Sequence, residues 1–133
     1  MLSPEHRLHR PADFSEVVRR GRRSSRPLLT VHALLAVRYS DNPTEAPAEH
    51  PGDQTAGPPR AGLVVSKAVG GSVVRHQSSR RLRHLLRTRL PDLPAGARIV
   101  VRAAPGAGTA SSRELANDLD VALAAALRPR SAR

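Results

Sequence analysis

The chain has 133 residues, the size of one compact domain built round one core. Twenty-two Lys and Arg against eleven Asp and Glu give a formal charge of +11, a surplus that repels itself until a polyanion neutralises it, so nucleic acid is the first partner to consider. The absence of cysteine excludes disulfides, thiolate metal sites and a cysteine nucleophile. No stretch is apolar for long enough to act as a signal peptide or cross a bilayer, so no membrane partner is expected and the cytoplasm is the expected compartment.

Lys67 is the only lysine, while Ala, Arg, Gly and Pro abound. The coding bias of a G+C-rich genome explains arginine in place of lysine, but it does not explain the surplus charge.

In chain order, Pro11 to Arg20 is predicted to be a helix. Pro11 suits the first helical position, Phe14, Val17 and Val18 share a face, and Gly21 can end it. Gly21 to Pro27 reads as a loop. Leu28 to Val37 follows as a strand, with a short buried helix as the alternative. Asp41 to Pro59 holds Pro43, Pro47, Pro51, Pro58 and Pro59, four acids and no Lys or Arg. It is predicted to be a disordered acidic insertion between two strands.

Ala61 to Ser66 and Ile99 to Ala103 are apolar runs expected to form buried strands, and Gly70-Gly71 breaks the chain after the first. Between them Ser72 can cap a helix from Val73 to about Leu90, with Val74, Leu82, Leu85 and Leu86 on one face and Pro91 and Pro94 closing it. Ser111-x-x-Glu114 has the form of a capping box. It opens a helix whose Leu115, Leu119, Ala122, Leu123 and Leu127 share a side before Pro129, with residues 129–133 as a flexible tail. The order is helix, strand, insertion, strand, helix, strand, helix, with the strand count open by one, which is an α+β sandwich in a single domain.

The order of charges singles out one segment. Arg60 to Arg89 carries Arg60, Lys67, Arg75, Arg80, Arg81, Arg83, Arg87 and Arg89 and no acid. At 100° per residue His76, Arg80, Arg83 and Arg87 fall in one narrow arc opposite the apolar side chains. Guanidinium forks at one-turn spacing can follow a phosphate backbone without reading sequence, which suits recognition of RNA by shape. The competing reading is the ordinary solvated face of an amphipathic helix, and the missing acids argue against it.

Catalytic equipment is not visible. There is no Gly-rich phosphate loop, since Gly70-Gly71 lacks the following Lys-Ser/Thr, and there is no Ser-His-Asp set or paired carboxylates on a structured element. His6, His9, His32, His50, His76 and His84 lie without ligand spacing. No catalytic residue, metal site or small-molecule substrate is therefore expected of the polypeptide.

The stretch Val64-Val-Ser-Lys67-Ala-Val-Gly-Gly-Ser-Val-Val-Arg75-His-Gln-Ser-Ser-Arg80-Arg81-Leu-Arg83 resembles the bacterial ribonuclease P protein family, of actinobacterial type, whose hallmark helix reads Arg-Asn-x-x-Lys-Arg-x-x-Arg. Arg75, Arg80 and Arg83 match at the motif spacing, and Lys67 matches the basic residue after the central strand. His76 stands where asparagine is usual, and Ser79 replaces the lysine. The likeness extends to His6-Arg7-Leu8, Asp13-Phe14, Arg98 to Arg102 as a fourth strand and the closing helix, leaving only Asp41 to Pro59 outside it.

The resemblance implies the order α-β-β-β-α-β-α and a protein subunit that assists a catalytic RNA in removing the 5′ leader of precursor tRNA. Lys67, Arg75, His76, Arg80, Arg81, Arg83 and Arg87 are the expected RNA-binding set. Phe14, Val18, Leu28, Thr30 and His32 are the expected lining of a leader cleft, and the Mg2+ ions are expected in the RNA rather than on the protein. The rival readings are a structural or regulatory RNA-binding protein resembling a ribosomal protein, and an intrinsic protein nuclease.

Overall fold

Alternating and helical hydrophobic periods succeed one another along the chain, and each becomes an element of the computed structural model, which describes residues 7–8, 11–35 and 58–127. The elements are α1 (Pro11–Arg20), β1 (Arg22–Ser25), β2 (Leu29–Leu34), β3 (Arg60–Val64), α2 (Ser72–Arg89), β4 (Arg98–Ala103) and α3 (Ser112–Leu127), with short 3-10 turns at Lys67–Val69, Leu90–Asp92 and Pro105–Gly108. The α-β-β-β-α-β-α order and the α+β class are as expected. The insertion at Asp41 to Pro59 and the tail at 129–133 fall outside the described residues, apart from Pro58 and Pro59.

One four-stranded sheet has the order β1-β2-β4-β3. β2 pairs antiparallel with β1 and with β4, whereas β3 runs parallel to β4. β4 is thus central, and Ile99, Val100 and Val101 are all fully buried because helices cover both of its faces.

Each face has its own core. Leu29, Val31 and Ala33 of β2 and Ile99, Val101 and Ala103 of β4 point to one side, where they meet Leu82 and Leu86 of α2 and Leu115, Leu119, Ala122 and Ala126 of α3. Val100 points to the other side and packs with Leu8 and Val17, flanked by Phe14, Leu34 and Val64. α1 covers only part of this second face.

Several boundaries differ from the sequence expectation. β1 forms inside the expected loop, because Arg22-Arg23-Ser24-Ser25 is an edge strand with an intermediate and exposed alternation and no apolar signature. β2 starts at Leu29 rather than Leu28, and Ala36 and Val37 lie outside the described residues. Ser72 is the first residue of α2 rather than its cap. Gly71 holds the cap position without a side chain, and its carbonyl accepts from Arg75 N–H at 2.8 Å. Gly70 has φ +153, and a Cβ there would lie 2.9 Å from Val74, so a residue without a side chain makes this turn. The capping box forms as expected, with Ser111 Oγ accepting from Glu114 N–H (3.1 Å) and Glu114 accepting from Ser111 N–H (2.8 Å).

Ion pairs fasten the outer helices. Arg98, at the start of β4, donates to Glu16 at 2.8 Å and lies 3.9 Å from Asp13, both on α1, and Arg20 pairs with Glu16 at 2.9 Å. Burial alone would raise the Glu16 pKa, but hydrogen bonds and charge from Arg98 and then Arg20 outweigh it and hold the carboxyl below its usual range. A carboxylate with a depressed folded-state pKa stabilises the fold above its unfolded pKa, and that contribution is lost as pH falls through the folded value. Glu16→Gln is therefore expected to lower the melting temperature at pH 7 and to narrow its gap from wild type toward pH 3. A gap that stays constant across that range would refute the coupling.

Candidate nucleic-acid interface

α2 presents the basic segment because its apolar positions bury one side. Leu82 and Leu86 are fully buried with Ser78, whereas His76, Gln77, Arg80, His84 and Arg87 are exposed. Five of the six acids among the described residues are engaged elsewhere. Asp13 and Glu16 meet Arg98, Asp118 meets Arg26, Asp120 meets Arg89, and Glu114 caps α3, while Asp92 lies exposed in the turn beyond the C-terminal end of α2. Among the described residues Lys67, Arg75, Arg80, Arg83 and Arg87 form no ion pair. A row of unpaired guanidinium groups on a rigid helix offers fixed donors to phosphate oxygens.

The expected RNA-binding residues do not all stand alike. Arg80, Arg87 and His76 face solvent on α2, and Lys67 is exposed on the 3-10 turn before it, where Ser66 Oγ accepts from Ala68 N–H. Arg81 is half-buried and donates to the Ala110 carbonyl at 3.0 Å, tying α2 to the start of α3. Arg75 is half-buried, and its Nε is enclosed without a partner. Arg83 reaches toward the β3 side, where it lines a hollow with Arg7, Leu8, Phe14, Gly62 and Leu63.

Phe14 is half-buried there, its ring lying over Gly62 so closely that a Cβ on Gly62 would sit 2.3 Å from the ring. The glycine is what lets the aromatic ring reach the sheet. Beyond α1 the second sheet face is open. Register places Ser25, Thr30, Arg102 and Val64 side by side in one row, and Arg23, His32, Val100 and Gly62 in the next. Val18 lies on α1 at 38% exposure, and Thr30 is half-buried with its hydroxyl 3.4 Å from Ser25 Oγ.

His32 is buried in this face, and its Nδ1 has no partner. Burial first, and then the charges of Arg23 and Arg102, push its pKa down, so the ring is neutral at pH 7 and can accept a hydrogen bond. Phe14, Val18, Thr30 and His32 thus belong to one side of the sheet.

Leu28 does not join them. Its N–H donates to Asp118 of α3 at 3.0 Å, and its side chain packs into the opposite core near Gly106, because the strand begins one residue later. Arg23, Arg102 and Arg7 were not among the expected cleft residues. The signal for Arg102 was its place two residues beyond Val100, on the same face of a strand. The described residues contain no group of three His, Cys, Asp or Glu able to hold a metal ion, and no helix long and apolar enough to cross a membrane.

Comparison with known proteins agrees with this architecture. A family model described as Ribonuclease P matches residues 2–127. The ribonuclease P protein component of Streptomyces griseus is 55% identical over 123 residues, covering 92% of this chain and 93% of that protein. The corresponding protein of Salinispora tropica is 51% identical over 134 residues, covering 100% and 98%. Among solved structures, the RNase P protein of Staphylococcus aureus superposes with a TM-score of 0.70 at 21% identity, covering 92% of this chain and 95% of that one. The RNase P protein of Thermotoga maritima gives 0.65 at 18%, covering 94% and 98%. The structural likenesses show a shared fold.

Proposed function

This chain belongs to the ribonuclease P protein family, as the protein component of an endoribonuclease holoenzyme that processes tRNA, and from that premise we propose how its two surfaces divide the work. The basic face of α2, with exposed Arg80 and Arg87, half-buried Arg75 and Arg83 and the nearby exposed Lys67, binds the backbone of the catalytic RNA. The open sheet face, with Phe14, Val18, Thr30 and His32 and the flanking Arg23 and Arg102, receives the single-stranded 5′ leader of precursor tRNA. The observation that carries this reading is the row of arginines on α2 that form no ion pair among the described residues, in a protein where five of the six described acids are committed to other partners.

The polypeptide's share is binding and positioning. Arginine forks screen the phosphate charge that two RNAs bring together. Phe14 offers a ring face for sequence-tolerant stacking, and neutral His32 offers an acceptor to a base edge or a 2′-hydroxyl. Mg2+ bound by the RNA would supply the activated water for phosphodiester hydrolysis. The site of action is the cytoplasm, where precursor tRNA is made in a bacterium.

The test is reconstitution. Adding the purified chain to ribonuclease P RNA and a precursor tRNA at low magnesium is expected to raise the rate of 5′ processing. No gain would favour a purely structural RNA-binding role, and cleavage without the RNA would point to a nuclease site in the protein.

A further inference from the structure

α2 has a second concave flank, on the side away from Phe14. His76, Arg80 and His84 follow one another at one-turn spacing and, with Arg81 and with Ser112 at the start of α3, line a half-open hollow of about 590 Å³. His84 and Ser112 lie outside the expected RNA-binding set, to which His76, Arg80, Arg81 and Arg83 belong. Arg83 borders this hollow as well as the one beside Phe14, so the two flank α2 on either side.

We propose that this hollow, which shares Arg80 and Arg83 with the RNA-binding face, is a pocket for one phosphodiester of folded RNA and holds it more tightly when its two imidazoles are protonated. The inference rests on the RNA-binding reading above and adds a site and a proton dependence to it. Its lining includes cationic and imidazole groups and no carboxylate. Arg81 is already fixed by its bond to the Ala110 carbonyl, so its guanidinium is held at the wall before any ligand arrives. Ser112 opens α3, where the N–H groups of Ser112 and Arg113 have no acceptor within the helix, whereas that of Glu114 is held by Ser111 Oγ.

The charged groups around the two imidazoles are few. On α2 they are Arg80, Arg81, Arg83 and Arg87. On the first turn of α3 they are Arg113, which is exposed, and Glu114, whose carboxylate is occupied by the Ser111 N–H. Histidine changes charge between pH 5 and 8 and gains a second donor when it does. An entering phosphate supplies the anion that a cluster of cations lacks, so anion binding and proton uptake favour each other.

The experiment uses the full chain labelled with 15N and a short oligouridylate without terminal phosphates, whose diester charge is constant between pH 6 and pH 8. NMR follows the imidazoles of His76 and His84 and the amide of Ser112. The expected result is saturable shifts at all three, with affinity about tenfold tighter at pH 6 than at pH 8, as suits two added charge-assisted donors. In the double variant His76→Gln with His84→Gln, the difference between the two pH values disappears while the response at Gly62 persists.

Shifts confined to Gly62 and Phe14, or a pH response that survives in the double variant, would overturn the inference. Binding of wild-type protein to ribonuclease P RNA decides which reading has failed. Equal affinity at both pH values removes the proton-linked site and leaves the proposed function standing, whereas no binding at either pH removes both.

Discussion

Replacing Arg80 and Arg83 together by alanine is expected to weaken binding to ribonuclease P RNA by about a hundredfold, given roughly 1.5 kcal/mol or more for each charge-assisted hydrogen bond. The dependence of log affinity on log salt should also flatten by about 2, because two phosphate contacts and their released counterions are lost. Neither side chain is an anchor of the fold. Arg80 is exposed, Arg83 opens onto a hollow, and neither forms an ion pair among the described residues. The melting temperature should therefore stay near that of wild type. Arg89→Ala provides the contrast. Its guanidinium donates to Asp120 of α3 at 3.0 Å and to the Leu85 carbonyl at 3.0 Å, so its loss should lower stability and leave RNA affinity almost intact. Filter binding across a salt series, with circular dichroism for folding, checks both variants. Equal RNA affinity in Arg80→Ala with Arg83→Ala and wild type would dismiss the α2 face as the interface.

The second large effect is on stability. Leu82→Ala should cost about 3 kcal/mol, since Leu82 is fully buried between α2 and the sheet and its removal forfeits both transfer energy and packing. For a chain of this size that corresponds to a fall in melting temperature of about 10 °C. Equilibrium denaturation should show a lower midpoint with an unchanged slope, the signature of a less stable but equally compact fold. RNA affinity measured well below the transition should be close to wild type, because the exposed arc of α2 is untouched. A loss below about 1 kcal/mol would mean that α2 is docked less tightly than its buried residues indicate.

Sequence patterns disclosed most of the architecture because α1, α2 and α3 carry strong helical periods and β3 and β4 are apolar runs. β1 was not legible: an edge strand bonded on one side has no need of apolar residues, and Arg22-Arg23-Ser24-Ser25 looks like any polar loop. Within the candidate site the motif located α2's basic face, and helical spacing puts Arg80 in the basic arc and Arg81 outside it. Its charge still places Arg81 in the expected RNA-binding set, and only tertiary structure shows its guanidinium donating to the Ala110 carbonyl. Leu28 looked like a cleft residue because it adjoins Thr30 and His32 at the right parity, yet Asp118, ninety positions away, holds its peptide against the other core. His32 could be placed on a strand, but its burial beside Arg23 and Arg102 depends on sheet order, which no local pattern encodes.

Because β4 separates β2 from β3, the strands made earlier have no shared neighbour until the ribosome has released residues beyond Ala103. Beyond the local β1–β2 hairpin, completion of the sheet consequently waits on pairings between residues far apart in the chain, which form later than local contacts. The arginine helix therefore leaves the exit tunnel before the sheet it will rest on is complete. A nascent cationic segment is exposed to surrounding ribosomal RNA well before the domain reaches its final shape.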